Sequence, residues 1–232
     1  MLKEFVKNEN EAKVALLGTI LADGSIQKER YTSSNNIRYK DKTYIEITHT
    51  SKSLDYLKEV GELFKMIEGV TYKIVAHNKV TKDKVYSLYR LYTNSVPYFS
   101  KLRNILYNNN RIKLFPKEII NSMTDLSLLL LYLDDGSLKV RYYKDSLRIR
   151  EVRITFCLDS FTVEELEYFR VFLKEKYNID SHIYRHSKNM ELNRGFRIWL
   201  NTQNTKRFMS VIDKFYNQVP SMNYKFTKYY SL

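Results

Sequence analysis

The sequence predicts an α+β protein made of two copies of one αββαββα unit, and three observations carry that prediction. Two apolar helical runs end in an acid and a glycine: Leu16-Leu17-Gly18-Thr19-Ile20-Leu21-Ala22-Asp23-Gly24 and Leu128-Leu129-Leu130-Leu131-Tyr132-Leu133-Asp134-Asp135-Gly136. Asp23 and Asp135 stand 112 residues apart (23 to 135), and Lys113 and Lys225 keep the same interval (113 to 225). After each apolar run, helical and alternating periodicities follow one another in the same order.

Each unit opens on its apolar helix, about Glu11–Ala22 and Thr124–Asp134. Two strands come next, Ser25–Tyr31 with Thr43–His49, then Ser137–Tyr143 with Arg148–Leu158. A helix follows in each half, from Ser53 and from Thr162; the second begins Thr162-Val163-Glu164-Glu165, a capping-box signature. Thr71–Lys79 with Lys84–Thr93, and Ser181–Ser187 with Gly195–Leu200, supply two more strands per half. Helices Val96–Tyr107 and Lys206–Tyr216 close the units. Smaller echoes, Arg90–Asn94 with Arg197–Asn201 and Ile47-Thr48 with Ile154-Thr155, support the duplication. The expected division is 1–107 for the N-terminal repeat, 108–123 for a turn-rich linker and 124–232 for the C-terminal repeat.

The 39 Lys and Arg outnumber the 26 Asp and Glu, for a formal charge of +13. Such an excess opposes compaction unless a polyanion accepts it, which makes nucleic acid the default partner and an anionic membrane surface the weaker one. No apolar run approaches membrane-spanning length, since Leu128–Leu133 is followed by two aspartates. The lone Cys157 excludes a disulfide framework and a cysteine metal cluster. An intracellular protein is expected, in a mitochondrial or other organellar matrix or a bacterial cytoplasm, acting as a monomer.

A carboxylate at a helix C-terminus faces the negative end of the helix dipole. Placing one there twice calls for a cation, most simply a divalent metal. Strand alternation adds a polar face to each sheet: Gln27, Glu29, Glu46, Thr48, Lys84, Tyr86 and Arg90 in the first half, Lys139, Arg141, Tyr143, Arg153, Thr155, Arg197 and Asn201 in the second. A half-exposed sheet always has a polar side. Two such faces on a strongly basic chain point instead to side chains that reach base edges in a DNA groove. The four histidines show no metal-ligand spacing and are expected at the groove or surface, and Trp199 is expected in packing.

Both motif runs resemble those of single-chain, two-motif LAGLIDADG homing endonucleases. Leu16, Gly18, Ala22, Asp23 and Gly24 match the first motif, and Leu128, Asp135 and Gly136 the second, where Leu130 replaces the usual glycine. The resemblance implies motif helices packed side by side and saddle-shaped antiparallel sheets facing double-stranded DNA. It implies metal ligation by Asp23 and Asp135, with backbone carbonyls from Ala22 and Asp134, and assigns catalytic roles to Lys113 and Lys225. The expected activity is site-specific double-strand cleavage at a long asymmetric target, promoting mobility of a host intron. Hard oxygen ligands favour Mg²⁺, with Mn²⁺ or Ca²⁺ able to substitute in binding. An RNA maturase that assists splicing of its host intron, and a non-cleaving DNA-binding regulator, share this fold and stay open as alternatives at this level.

Overall fold

Helix α1 (Glu9–Leu21) starts at Asn8, whose side chain accepts the Glu11 N–H at 3.0 Å. The computed structural model describes residues 1–33, 36–81, 84–144, 146–186 and 193–230. After α1 come β1 (Gly24–Ser33), β2 (Asn36–Thr50), α2 (Leu54–Phe64), β3 (Tyr72–Thr81), β4 (Lys84–Thr93) and α3 (Pro97–Leu106). A short α4 (Lys117–Ser122) bridges to the second unit. That unit runs α5 (Asp125–Asp135), β5 (Gly136–Tyr142), β6 (Ile149–Phe156), α6 (Val163–Tyr177), β7 (His182–Arg185), β8 (Phe196–Leu200) and α7 (Thr202–Ile212), and α8 (Tyr224–Tyr230) follows. Ser187, the expected end of β7, lies outside the described residues.

The two four-stranded sheets have matching antiparallel orders, β1-β2-β4-β3 and β5-β6-β8-β7. The predicted αββαββα duplication is therefore the architecture observed. Helices α4 and α8 went unpredicted because they are short and carry too few turns to show a period. One inferred correspondence is corrected by the register. Ile47 faces Gly24 and Leu91, and it is Phe156, not Ile154, that faces Gly136 and Ile198. A two-residue slip keeps every side chain on the same face, so alternation alone cannot detect it.

Both halves share one continuous apolar core, with α1 and α5 side by side at its centre. Their backbones are in close contact. A Cβ built on Gly18 would stand 2.0 Å from the Ser127 carbonyl oxygen and 2.9 Å from the Leu131 nitrogen. The Ser127 hydroxyl donates across the interface to the Val14 carbonyl at 2.8 Å. Glycine is needed at position 18 for this approach, because any side chain would meet backbone that has no room to yield.

The capping box of α6 forms as predicted: Thr162 N–H donates to Glu165 at 2.8 Å and Glu165 N–H to Thr162 at 3.3 Å. Glu165 also accepts the Phe115 N–H at 2.7 Å, while the Phe115 ring packs on Phe161 and Phe169. The connection between the halves is thus anchored in the second half's part of the core. Gly18→Val should overpack the α1–α5 contact and cost at least about 1–3 kcal/mol, read as a lower urea midpoint with an unchanged m-value.

Candidate metal centre and nucleic-acid face

At the C-terminal end of α1, Gly24 turns the chain back over its own helix. A Cβ there would come within 2.8 Å of the Thr19 oxygen, and one on Gly136 within 2.1 Å of the Tyr132 ring. Neither glycine adopts positive φ. Both motif glycines are required by close approach rather than by a left-handed turn.

Each helix end is closed by a lysine. The Lys113 ammonium donates to the carbonyls of Ile20 (2.9 Å), Leu21 (3.2 Å), Ala22 (3.0 Å) and Gly24 (2.6 Å). Lys225 donates to those of Asp134 (3.3 Å) and Gly136 (2.5 Å). A cation at a helix C-terminus is favoured by the dipole and satisfies carbonyls that have no helical partner. An adjacent buried phenylalanine positions each lysine: Phe115 in the second half's part of the core, and Phe226 against Tyr132 and Tyr216. Tyr132 further fixes the second by donating to the Lys225 carbonyl at 2.6 Å. Burial pushes Lys113 down to about 8, and Lys225 is lowered for the same reason.

Asp23, at 41% exposure, opens to solvent, whereas the Asp134 side chain is wholly buried. Asp134 was expected to offer only its backbone carbonyl. Its carboxylate also accepts the Thr19 hydroxyl at 2.6 Å and lies 3.2 Å from His49 Nε2. His49 Nε2 is also 3.5 Å from Asp23, and one ligand atom from each of these three residues lies within 4.8 Å of the others. The expectation of a groove or surface role for His49 is corrected here: the side chain is 9% exposed and packs edge-on against the buried Tyr56 ring. The signal for this was present, since alternation that puts Ile45 and Ile47 inside puts His49 inside as well.

Burial, and then the Asp23 and Asp134 carboxylates, push Asp135 up to about 7. Asp23 is also raised, by burial first and Asp134 second. Burial alone would lower His49, but the Asp134 and Asp23 carboxylates outweigh it and the net shift is upward. The hydroxyl of Tyr56 is raised well above its ordinary value, by burial and then by Asp134. Three carboxylates share this small region, and a hard divalent cation fits both their charge and their donor atoms.

The polar sheet faces also take shape. Gln27 lies outward on β1 and donates to Ser25 at 2.9 Å, and Glu29 falls at a pairing irregularity between Lys28 and Arg30, where alternation no longer fixes its side. Glu46 pairs with Arg90 at 3.6 Å, and Thr48 faces Arg90 across the ladder. Lys84 and Tyr86 are exposed toward the far end of β4. In the second sheet Lys139 stands opposite Arg153, and Arg141 opposite Glu151, which holds Arg153 at 2.5 Å and Arg141 at 3.2 Å. Thr155 faces Trp199, and Arg197 is held by Asp159 at 2.8 Å.

Tyr143 falls beyond a pairing irregularity after Arg141, so strand alternation no longer fixes its side. Asn201 caps α7 by accepting the Asn204 N–H at 2.9 Å. Trp199, expected in packing, lies outward, stacked on His182 at 4.5 Å and beneath the Arg153 guanidinium at 4.2 Å. Its alternation with the buried Ile198 and Leu200 was the overlooked sign.

A model of the LAGLIDADG DNA endonuclease family matches residues 13–208. The chain belongs to that family. Its fold is similar to that of "the homing endonuclease I-WcaI bound to its DNA recognition sequence", with a TM-score of 0.72 and 19% identity over 97% of this chain and 89% of that one. It is more distantly similar to the LAGLIDADG homing endonuclease I-GzeII in complex with its DNA target (TM-score 0.50, 10% identity, 87% and 83% coverage). Among curated proteins, Protein RecA of Mycolicibacterium flavescens is 22% identical over 214 residues, 90% of this chain and 45% of that protein. A DNA polymerase of Acanthamoeba polyphaga mimivirus is 29% identical over 136 residues, 57% of this chain and 7% of that protein. The chain thus spans less than half the length of these curated relatives. No helix among the described residues is long and apolar enough to cross a membrane.

In this LAGLIDADG chain the raised Asp135 ties stability to pH. Its carboxyl titrates at about 7 when folded but near ~4 when unfolded, so between those values the folded state holds the extra proton. The group's contribution is full below about pH 4 and is lost as pH rises toward 7. In EDTA, Asp135→Asn should therefore become progressively more stable than the parent from pH 4 to pH 7, as measured by urea unfolding.

Proposed function

We propose that this LAGLIDADG DNA endonuclease cuts both strands of a long, asymmetric duplex site with Mg²⁺, using Asp23 and Asp135 as the metal-holding acids of two half-sites. The observation that supports this most directly is the convergence of the two helix ends. Each carries an acid and a buried lysine, and their charges are close enough to perturb one another. Residues 1–107 and 124–232 would act as the two half-site readers, joined by 108–123. The outward basic and polar side chains, Gln27, Glu29, Glu46, Thr48, Lys84, Tyr86 and Arg90 with Lys139, Arg141, Tyr143, Arg153, Thr155, Arg197 and Asn201, would contact bases and phosphates. The halves carry different residues on these faces, so the target is non-palindromic.

Hydrolysis adds water to the scissile phosphorus, breaks the bond to the 3′ oxygen and leaves a proton on that oxygen. A divalent ion at Asp23 and Asp135 supplies Lewis-acid polarisation of the phosphodiester and eases ionisation of water. The carbonyls of Ala22 and Asp134 lie beside these acids as further oxygen donors. Lys113 and Lys225, held at the helix ends, place positive charge where the phosphate becomes more negative. The depressed affinity of Lys113 for its proton, down to about 8, also lets it exchange one near neutral pH. No observation favours host intron RNA as a partner.

Asp23→Asn and Asp135→Asn should each lower double-strand cleavage by at least on the order of 10²-fold while leaving duplex affinity within a few-fold. Unchanged cleavage would remove that acid from the site. Lys113→Met and Lys225→Met should slow the nicking of individual strands in labelled-duplex assays. A variant cutting both strands at the parent rate would take its lysine out of the mechanism. Duplex affinity should fall about 10³–10⁵-fold between 50 and 200 mM salt if six or more phosphates are contacted, and a flat response would exclude that interface.

A further inference from the structure

We propose that Asp23, His49 and Asp134 form a mixed nitrogen–oxygen metal site between the two helix ends, without a symmetry-related counterpart, that takes a first-row transition ion such as Mn²⁺ in preference to Mg²⁺. The inference rests on Asp23 being a metal ligand, as proposed above, and adds two ligands from outside the motif acids: an imidazole and a second carboxylate.

Geometry comes first. His49 Nε2 is 3.2 Å from Asp134 Oδ1 and 3.5 Å from Asp23 Oδ2. Two donors about 2.1 Å from a common ion lie roughly 3.0 Å apart at octahedral right angles and roughly 3.4 Å apart in a tetrahedron. The His49–Asp134 separation falls inside that range, and the His49–Asp23 separation of 3.5 Å lies just above it. Satisfaction of the polar atoms comes second. His49 Nε2 and Asp134 Oδ1 are buried and 3.2 Å apart, but their contact does not reach full hydrogen-bond geometry. Buried polar atoms left in that state are costly, and a shared cation would satisfy both. The other oxygen of Asp134 accepts the Thr19 hydroxyl at 2.6 Å, the kind of outer contact that orients a ligating carboxylate.

The symmetry-related position, beside Asp135, lacks these groups. The residue at the repeat interval from Asp134 is Ala22, and Leu158, two residues beyond Phe156, takes the place of His49. Imidazole suits first-row transition ions, whereas Mg²⁺ prefers oxygen alone. The two half-sites therefore differ in metal preference as well as in sequence.

The test uses the full chain without DNA. Mn²⁺ binding is followed by electron paramagnetic resonance, and the bound ion is examined for ¹⁴N modulation in the spin echo. The parent protein should show modulation from one coordinated imidazole. His49→Gln should lose it and bind that Mn²⁺ at least about tenfold more weakly, with Mg²⁺ affinity within about twofold. Bound Mn²⁺ with no ¹⁴N coupling in the parent would overturn the proposal, and that result does not depend on how the variant folds. Identical Mn²⁺ isotherms for the parent and a folded His49→Gln would overturn it as well, leaving a buried His49–Asp134 ion pair as the account. Mg²⁺-dependent cleavage by the parent keeps the two readings separate. If it persists while the nitrogen signal is absent, only the mixed site fails; if no divalent ion is bound or needed, the underlying assignment of Asp23 fails too.

Discussion

The backbone contact between α1 and α5 governs the rest of the molecule. It is permitted by Gly18, which allows the Ser127 carbonyl to sit where a Cβ would otherwise be. Because the helices approach so closely, their C-termini end together, and with them Asp23, Asp134 and Asp135. The sheets are attached through the glycines that immediately follow, Gly24 and Gly136, each pressed against the last helical turn. Widening the helix contact would separate the acids and alter the relation of the two polar faces at once. A single packing constraint thus sets both the reacting centre and the DNA-reading surfaces proposed for it.

Electrostatics works against that packing. Two helix dipoles present their negative ends to the same region, and three carboxylates add to them. Lys113 and Lys225 answer the backbone part, bonding carbonyls at the two ends, and His49 faces two of the carboxylates. The lysines do not offset it all, since burial, and then the Asp23 and Asp134 carboxylates, still push Asp135 up to about 7. A region folded around lysines yet short of positive charge is suited to receive a cation, because binding one relieves a repulsion that folding has already created. The destabilising arrangement and the proposed activity have the same origin.

Much of this was legible in the sequence, for identifiable reasons. The duplicated motif and the paired lysines are register signals, and register survives divergence of the surrounding residues. The alternation of Ile45, Ile47, Ile154 and Phe156 gave the inward faces correctly, because burial on one side of a sheet imposes a period of two. The same period hides a two-residue slip, and so Ile154 was matched where Phe156 stands. His49 was misjudged through residue type: a histidine was assumed polar and outward, against the alternation of its own strand. The Asp134 carboxylate could not be placed from sequence at all. Its environment is made by Thr19, His49 and Tyr56, which are remote in the chain and meet only through the helix contact.

Joining two such units in one chain frees each from having to serve in both positions. Were the halves identical, an acid at the place of Asp134 would occur twice, adding a further buried carboxylate beside Asp23 with another histidine required to face it. The single chain carries Asp134 against Ala22 and His49 against Leu158, so the buried acid and its imidazole arise once and together. Gly18 against Leu130 shows the same freedom in packing, with the close approach supplied from one side only. The halves thus differ where symmetry would be costly: at the helix contact and at the charges it concentrates. On the proposed function, the polar sheet faces diverge for a different reason, the need to match an asymmetric duplex. The central asymmetry follows from the physics of the junction and would persist whatever sequence the faces had evolved to read.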